Sequence, residues 1–305
     1  MDPEISPEGD SMAKEGHGNV GDRRADTGNL LSVLLLERYR KVVEAKSSLE
    51  QRPGDPETLH DFRTSIRKFR ALIKFLGPLV SGSGKSLNPL RQELKSCFRF
   101  LGEIREWDVL RADWDRLRPS LPGPWKEEAF PFGSTGDRRR DLPDNPLLPA
   151  LAASFEEVRC SFERGLREPV RSIGSFSRKR LGRWDERIVE GGRMWDSLDL
   201  SGRHRLRIDV KNLSGVFGIV RILWPHGVDP EFPKALKTMR SLLGEIHDRD
   251  RAFALLSPFL DSPRQRLSVP AGVLLGWYAS LGQDREERFR KVRDRYRKLR
   301  CPWRS

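Results

Sequence analysis

His60, Arg63, Arg67, Arg70 and Lys74 recur at steps of three, four, three and four residues, the spacing of a helix core seam, yet every one is basic. On an ideal helix they fall at about 0, 300, 340, 280 and 320°, a single stripe about 80° wide. The apolar residues Leu59, Phe62, Ile66, Phe69, Ile73 and Leu76 form a separate face of the same segment. Like charges three and four residues apart repel, so the stripe destabilises its helix unless an anion lies along it. A solvated helix face is the bland alternative, but such faces mix both signs, and this arc holds no Asp or Glu. Arginine forks grip phosphate oxygens in pairs, lysine adds a point charge, and histidine adds a donor. The chemistry indicated is the binding of a phosphate-rich polyanion.

The stripe has an echo. HDFRTSIRKFR at His60 is answered by HRLRIDVKNLS at His204, a shift of 144 positions, placing His204, Arg207 and Lys211 in register. LGEIREWD at Leu101 is answered by LGEIHDRD at Leu243, a shift of 142. Two matches at nearly one offset indicate duplication. The second stripe is thinner: Ser214 and Gly218 stand where Arg70 and Lys74 stand in the first, with Arg203 and Arg221 near enough in angle to substitute in part. A further helix adds Arg91, Lys95 and Arg99 on one face, and its echo keeps Lys237 in register with Lys234 and Arg240 nearby. Together these form a surface suited to a run of phosphates.

The elements that position these groups read as helices throughout. Residues 29–50 lack Pro and Gly and space their apolar side chains as an amphipathic helix. A second helix begins where Asp55 caps, Pro56 fits the first turn and Glu57 faces the positive dipole end, and it stops before Gly77 and Pro78. Further helices are expected over about 89–102, 107–117, 148–162, 171–195, 203–223, 232–245, 250–259 and 273–299, and no period-two strand pattern occurs. The fold class expected is all-α: two pseudo-symmetric antiparallel helical bundles from an internal duplication, half one about 29–168 and half two about 169–303. Residues 1–28, acidic at net −4 and poor in large apolar groups, read as a disordered tail; about 119–147, rich in Pro and Gly, reads as a mobile insertion.

Composition excludes several classes. Lys and Arg number 57 against 44 Asp and Glu, a net +13, so the part beyond the acidic tail is +17 and attracts anions. Three widely spaced cysteines, Cys97, Cys160 and Cys301, form no disulfide or zinc pattern and suit a reduced, cytoplasmic setting. The N-terminus shows no signal-peptide pattern and no apolar run long enough to span a bilayer. SGSGKS at Ser81–Ser86 lacks the first glycine of a P-loop, because Leu79 stands there, and reads as a turn. A metal at His60 and His204 is disfavoured by cationic neighbours, and Asp108, Asp248 and Asp250 read as ion-pair partners that orient basic groups. No nucleophile or carboxylate pair stands beside the stripe, so a non-catalytic protein without cofactor or metal is expected.

The pair of H-x-x-R-x-x-x-[RK] helices, each followed by an LG-x-x-[RH]-x-x-D segment, resembles the CHAD family, the conserved histidine alpha-helical domain, over about residues 29–303. The resemblance implies pseudo-symmetric helical bundles whose basic central surface binds inorganic polyphosphate, commonly at polyphosphate granules. Carried onto matching positions, it points to His60, Arg63, Arg67, Arg70, Arg99 and Arg105, and to His204, Arg207 and Lys211. The expected partner is therefore inorganic polyphosphate, with non-specific binding of nucleic-acid backbone as the alternative. If His60 and His204 bind the anion, affinity should strengthen as pH falls through neutrality.

Overall fold

The computed structural model describes residues 20–76, 78, 87–133, 173–221, 224 and 227–304. Among them are seven α-helices and no strand: α1 (Val20–Gln51), α2 (Pro56–Leu76), α3 (Leu87–Leu117), α4 (Ile173–Arg193), α5 (Leu200–Val220), α6 (Phe232–Leu256) and α7 (Gln265–Tyr296). The all-helical class expected from periodicity is therefore the observed one. The turn at Ser81–Ser86 and the helix expected over 148–162 lie outside the described residues.

Local signals explain most helix ends. Asp55 Oδ1 accepts the Glu57 N–H at 2.9 Å, and the Thr58 hydroxyl donates to the Asp55 carbonyl at 2.8 Å, so α2 starts at the expected cap. Asp199 caps α5 by accepting the Gly202 N–H at 2.7 Å. The structure differs where two shorter helices were expected. Residues 89–102 and 107–117 belong to one helix, α3, and residues 232–245 and 250–259 fall mostly on one helix, α6. A single interior glycine does not end a helix when good helix formers follow, as Glu103, Ile104, Arg105 and Glu106 do here. Helix α1 likewise begins at Val20, within the segment read as tail, because extending an existing helix through Arg23, Arg24 and Ala25 is far easier than nucleating one.

The predicted apolar face of α2 is the one buried: Leu59, Phe62, Ile66, Phe69, Ile73 and Leu76 are all interior. They join a core with α3, α5 and α6 that includes Leu94, Leu213, Phe217, Phe232 and Met239. A second core lies where α3, α6 and α7 meet, around Leu110, Trp114, Leu256, Leu274 and Tyr278. Phe132, from the stretch read as a mobile insertion, is fully buried there against Trp107 and Phe259, so 119–133 is anchored by aromatic contacts.

Packing follows the same order twice. Helix α1 packs on α2 and α2 on α3; α4 packs on α5 and α5 on α6; α2 meets α5, and α3 meets α6. Helix α7 closes the array against α6 and α4. The chain end is tied down by Arg304, which pairs with the buried Asp185 of α4 at 2.5 and 2.7 Å while Tyr296 of α7 donates its hydroxyl to the same carboxylate.

Candidate anion-binding cleft

Both basic stripes sit on helices that touch. A Cβ built on Gly215 of α5 would stand 3.7 Å from Ala71 Cβ of α2, an ordinary van der Waals contact. These positions are 144 apart, the shift of the sequence echo, so the helices meet at corresponding points. Two small residues at the crossing let the backbones approach closely, and the stripes become neighbours.

Beside this crossing lies a cleft of about 730 Å³ between α2, α3, α4 and α5. From α2 it is lined by Arg67, Arg70 and Lys74, from α3 by Arg91 and Lys95, from α4 by Arg180, and from α5 by His204, Arg207 and Lys211. No Asp or Glu is among its lining residues. Ala71, Ile73, Leu94, Phe98 and Ile208 supply the apolar walls. A low-dielectric wall strengthens any charge interaction made inside.

Aromatic faces hold several of the cations in place. The guanidinium carbons of Arg63 and Arg70 lie 4.8 and 5.2 Å from the Phe98 ring centroid, and Lys74 Nζ lies 5.7 Å from a Trp184 ring. Gly102 serves the same end: a Cβ there would sit 3.3 Å from Arg63 NH1, so the glycine opens the space the guanidinium occupies. Among the described residues, enclosed nitrogens of Arg63, Arg180 and Arg207 have no hydrogen-bond partner.

The electrostatics are those of crowded, partly desolvated cations. Burial pushes Arg63 down to about 10, with Glu106 opposing and Arg105, Arg67 and Arg207 adding to the fall. Burial and the charges of Arg207 and Arg67 bring Lys211 down to about 7. Arg67, Arg70, Lys74 and Arg207 are lowered too, burial being the main cause in each. His204 is lowered by burial and then by Arg207 and Lys211; its ring centroid is 5.3 Å from that of His247, which burial and Arg207 push down to about 3. All these shifts disfavour the charged form, and an anion in the cleft reverses them.

The other residues of the expected site lie elsewhere. Arg63 and Arg105 sit toward the start of the α2 stripe near the exposed His60, whose pKa is lowered by burial and by Arg105. Arg99 and Lys237 are exposed and outside the cleft lining. Arg240 donates to Ser214 Oγ at 3.3 Å and acts on Arg67 across the seam. Arg203 does not substitute in the thin second stripe: it stacks 4.4 Å from the Trp195 ring centroid and pairs with Glu286 at 3.3 Å. Lys234 pairs with Glu231 at 2.8 Å, and Arg221 lies in a separate groove with Trp224 and Pro233.

Sequence reasoning missed Arg180 and Phe98. Arg180 enters from α4 and donates to the Lys74 carbonyl at 2.6 Å, and no spacing rule links it to a stripe 106 residues away. Phe98 reads as one more apolar helix residue. Asp248 and Glu106 act on the seam arginines, and Glu106 also pairs with Arg251 at 2.5 and 2.9 Å, which ties α3 to α6. Among the described residues no group of three or more His, Cys, Asp or Glu is placed to hold a metal ion, and no helix is long and apolar enough to cross a membrane.

An all-helical chain with two contacting His-Arg-Lys helices and a carboxylate-free cleft between them is the class of protein that these features define. The profile of the CHAD domain family matches residues 34–257, and the chain belongs to that family. Among solved structures, the crystal structure of the CHAD domain from the plant Ricinus communis superposes with a TM-score of 0.67 at 17% sequence identity. The match covers 90% of this chain and 93% of the plant chain, so the fold is shared over nearly all of both. A comparison with curated protein sequences returned no match.

Proposed function

We propose that the cleft binds inorganic polyphosphate without transforming it, and that the protein acts as a cytoplasmic polyphosphate-binding domain associated with polyphosphate granules. The observation that carries the reading is the lining itself: Arg67, Arg70, Lys74, Arg91, Lys95, Arg180, Arg207 and Lys211 converge with His204 and no carboxylate. Charges so placed repel one another until an anion arrives, and a chain with one negative charge per phosphate supplies the counter-charge along its length. At about 730 Å³ the cleft has the size of a small-molecule site, suited to a single flexible strand. No step of covalent chemistry enters the proposal.

Nucleic-acid backbones offer phosphates too, and their binding would be strongly salt-dependent. The deciding measurement is competition on purified full-length protein. Long-chain polyphosphate is expected to stay bound when duplex DNA is added at equal phosphate concentration. Displacement by the duplex would overturn the assignment, and release of orthophosphate during a long incubation would overturn its non-catalytic part.

A further inference from the structure

We propose that the opposite side of the α2–α5 seam carries a second phosphate-binding surface, centred on Arg38 and Lys68 with Arg240, and that a long phosphate chain held in the cleft continues onto it past Arg67. This inference rests on the polyphosphate reading of the cleft.

The helix packing repeats across the seam. Helices α1, α2, α5 and α6 are arranged about the seam as α4, α5, α2 and α3 are, so the cleft on one side has a counterpart position on the other. At the shift of 142 that relates the LGEI segments, Arg180 of the cleft corresponds to Arg38, Phe98 to Arg240 and Lys95 to Lys237; at the shift of 144, Asn212 corresponds to Lys68. The counterpart has thus lost Arg70 and Lys74 to Ser214 and Gly218 but gained Lys68 and Arg240. Helix spacing marks the loss and already counts Arg240, but it does not mark Lys68, which lies off the stripe, or Arg38, which lies on another helix.

The structure brings these groups together. Arg240 reaches across from α6 to Ser214 Oγ at 3.3 Å, which places its guanidinium at the seam. The exposed Lys68 feels Arg38, Arg67, Lys41 and Arg240, all positive, and with burial they lower its pKa. No negative charge is among the leading influences on it. Among the described residues Arg38 Nε is enclosed and without a hydrogen-bond partner, the condition of Arg180 Nε at the corresponding place in the cleft. The neighbouring carboxylate Glu37 is engaged by Lys41 at 3.0 Å. Arg67 lines the cleft and also faces Arg240, so it belongs to both sides and offers a continuous cationic path. No aromatic ring replaces Phe98 here, so this surface should bind more weakly and with greater salt sensitivity than the cleft.

Calorimetric titration with tripolyphosphate, too short to serve both places, and with long-chain polyphosphate separates the possibilities. The wild-type chain is expected to take two tripolyphosphates, one tight and one weak. Arg38→Gln/Lys68→Gln should abolish the weak event, leave the tight one within about twofold, and lower long-chain affinity at least about tenfold through lost avidity. Lys68→Glu alone, a change at an exposed position, should reproduce the direction without threatening the fold. Arg288→Gln/Lys291→Gln on α7 removes two cations elsewhere and should leave both ligands nearly unaffected. A single tripolyphosphate per wild-type chain, or unchanged long-chain affinity in both Lys68 variants, overturns the second surface while leaving the cleft intact. Absence of tight tripolyphosphate and long-chain binding alike would instead overturn the cleft reading on which it rests.

Discussion

Gly215 of α5 lies against Ala71 of α2, where an added Cβ would be 3.7 Å from the alanine methyl, and this contact sets how near the two basic stripes stand. Gly215→Ala should therefore be accommodated, with stability unchanged or raised by up to about 1 kcal/mol from helix propensity. Gly215→Leu should force the helices apart, lowering stability by about 1–3 kcal/mol and polyphosphate affinity by an order of magnitude. Thermal unfolding and calorimetry on the pair check this, and normal affinity in a folded Gly215→Leu protein would show that the seam spacing is irrelevant.

Arg70 combines a charge in the cleft with a stack on Phe98. Arg70→Gln should weaken polyphosphate binding by on the order of 1.5–3 kcal/mol, about ten- to a hundredfold. Arg70→Lys should recover only part of that, since lysine keeps the charge but loses the planar fork. Full recovery by lysine would reduce the role of Arg70 to point charge. Arg203→Gln and Lys234→Gln, whose cations already face carboxylates, should change binding by less than about threefold.

Binding should take up protons near neutral pH, chiefly at Lys211. Its ordinary value is 10.5, and in the free protein burial with Arg207 and Arg67 holds it near about 7. Bound phosphate raises it again, so above about pH 7 each binding event draws in a proton and affinity falls as pH rises. The histidines add to this at lower pH, since burial and neighbouring cations hold His60 and His204 below their usual value. Calorimetry in buffers of different ionisation enthalpy should register the uptake at pH 8 in the wild type and lose most of it in Lys211→Met.

The same residue links the site to stability. Unfolded Lys211 keeps its proton up to about 10.5 while the folded one releases it near about 7, so on its account the free protein gains stability as pH rises between those values. Lys211→Met should flatten that rise and stabilise the free protein at pH 7. Unchanged melting behaviour across pH 7–10 in the variant would show that the cluster is not under electrostatic stress.

Asp185 is almost fully buried and held by Arg304 and Tyr296. Arg304→Ala leaves that carboxylate without its cation and should cost about 3–5 kcal/mol. The cleft lining does not include these residues, so the folded fraction should bind polyphosphate with normal affinity. Denaturant titration and binding measured on the same preparation check both halves.

Much of the arrangement was legible in the chain. Helix spacing in α2 separates Phe62, Ile66, Phe69 and Ile73 from Arg63, Arg67, Arg70 and Lys74, because a 3.6-residue period assigns each residue to a face before any partner is known. The echo at His204 marked the second helix, and the all-helical class followed from periodicity alone. Helix ends at Gly102 and near Glu245 were misplaced, since a single interior glycine suggests a stop but does not end a helix when good helix formers follow; at Gly102 the missing Cβ also leaves room for Arg63.

What tertiary structure alone decided is which cations converge. Arg203 and Lys234 have the right charge and nearly the right angle, but carboxylates from other segments claim them. Arg180 has no motif and becomes part of the cleft because α4 packs on α5 beside Lys74. Local sequence specifies the face a side chain occupies on its own helix; the partner across a groove depends on how distant helices cross, a property set by packing at places such as Ala71 and Gly215.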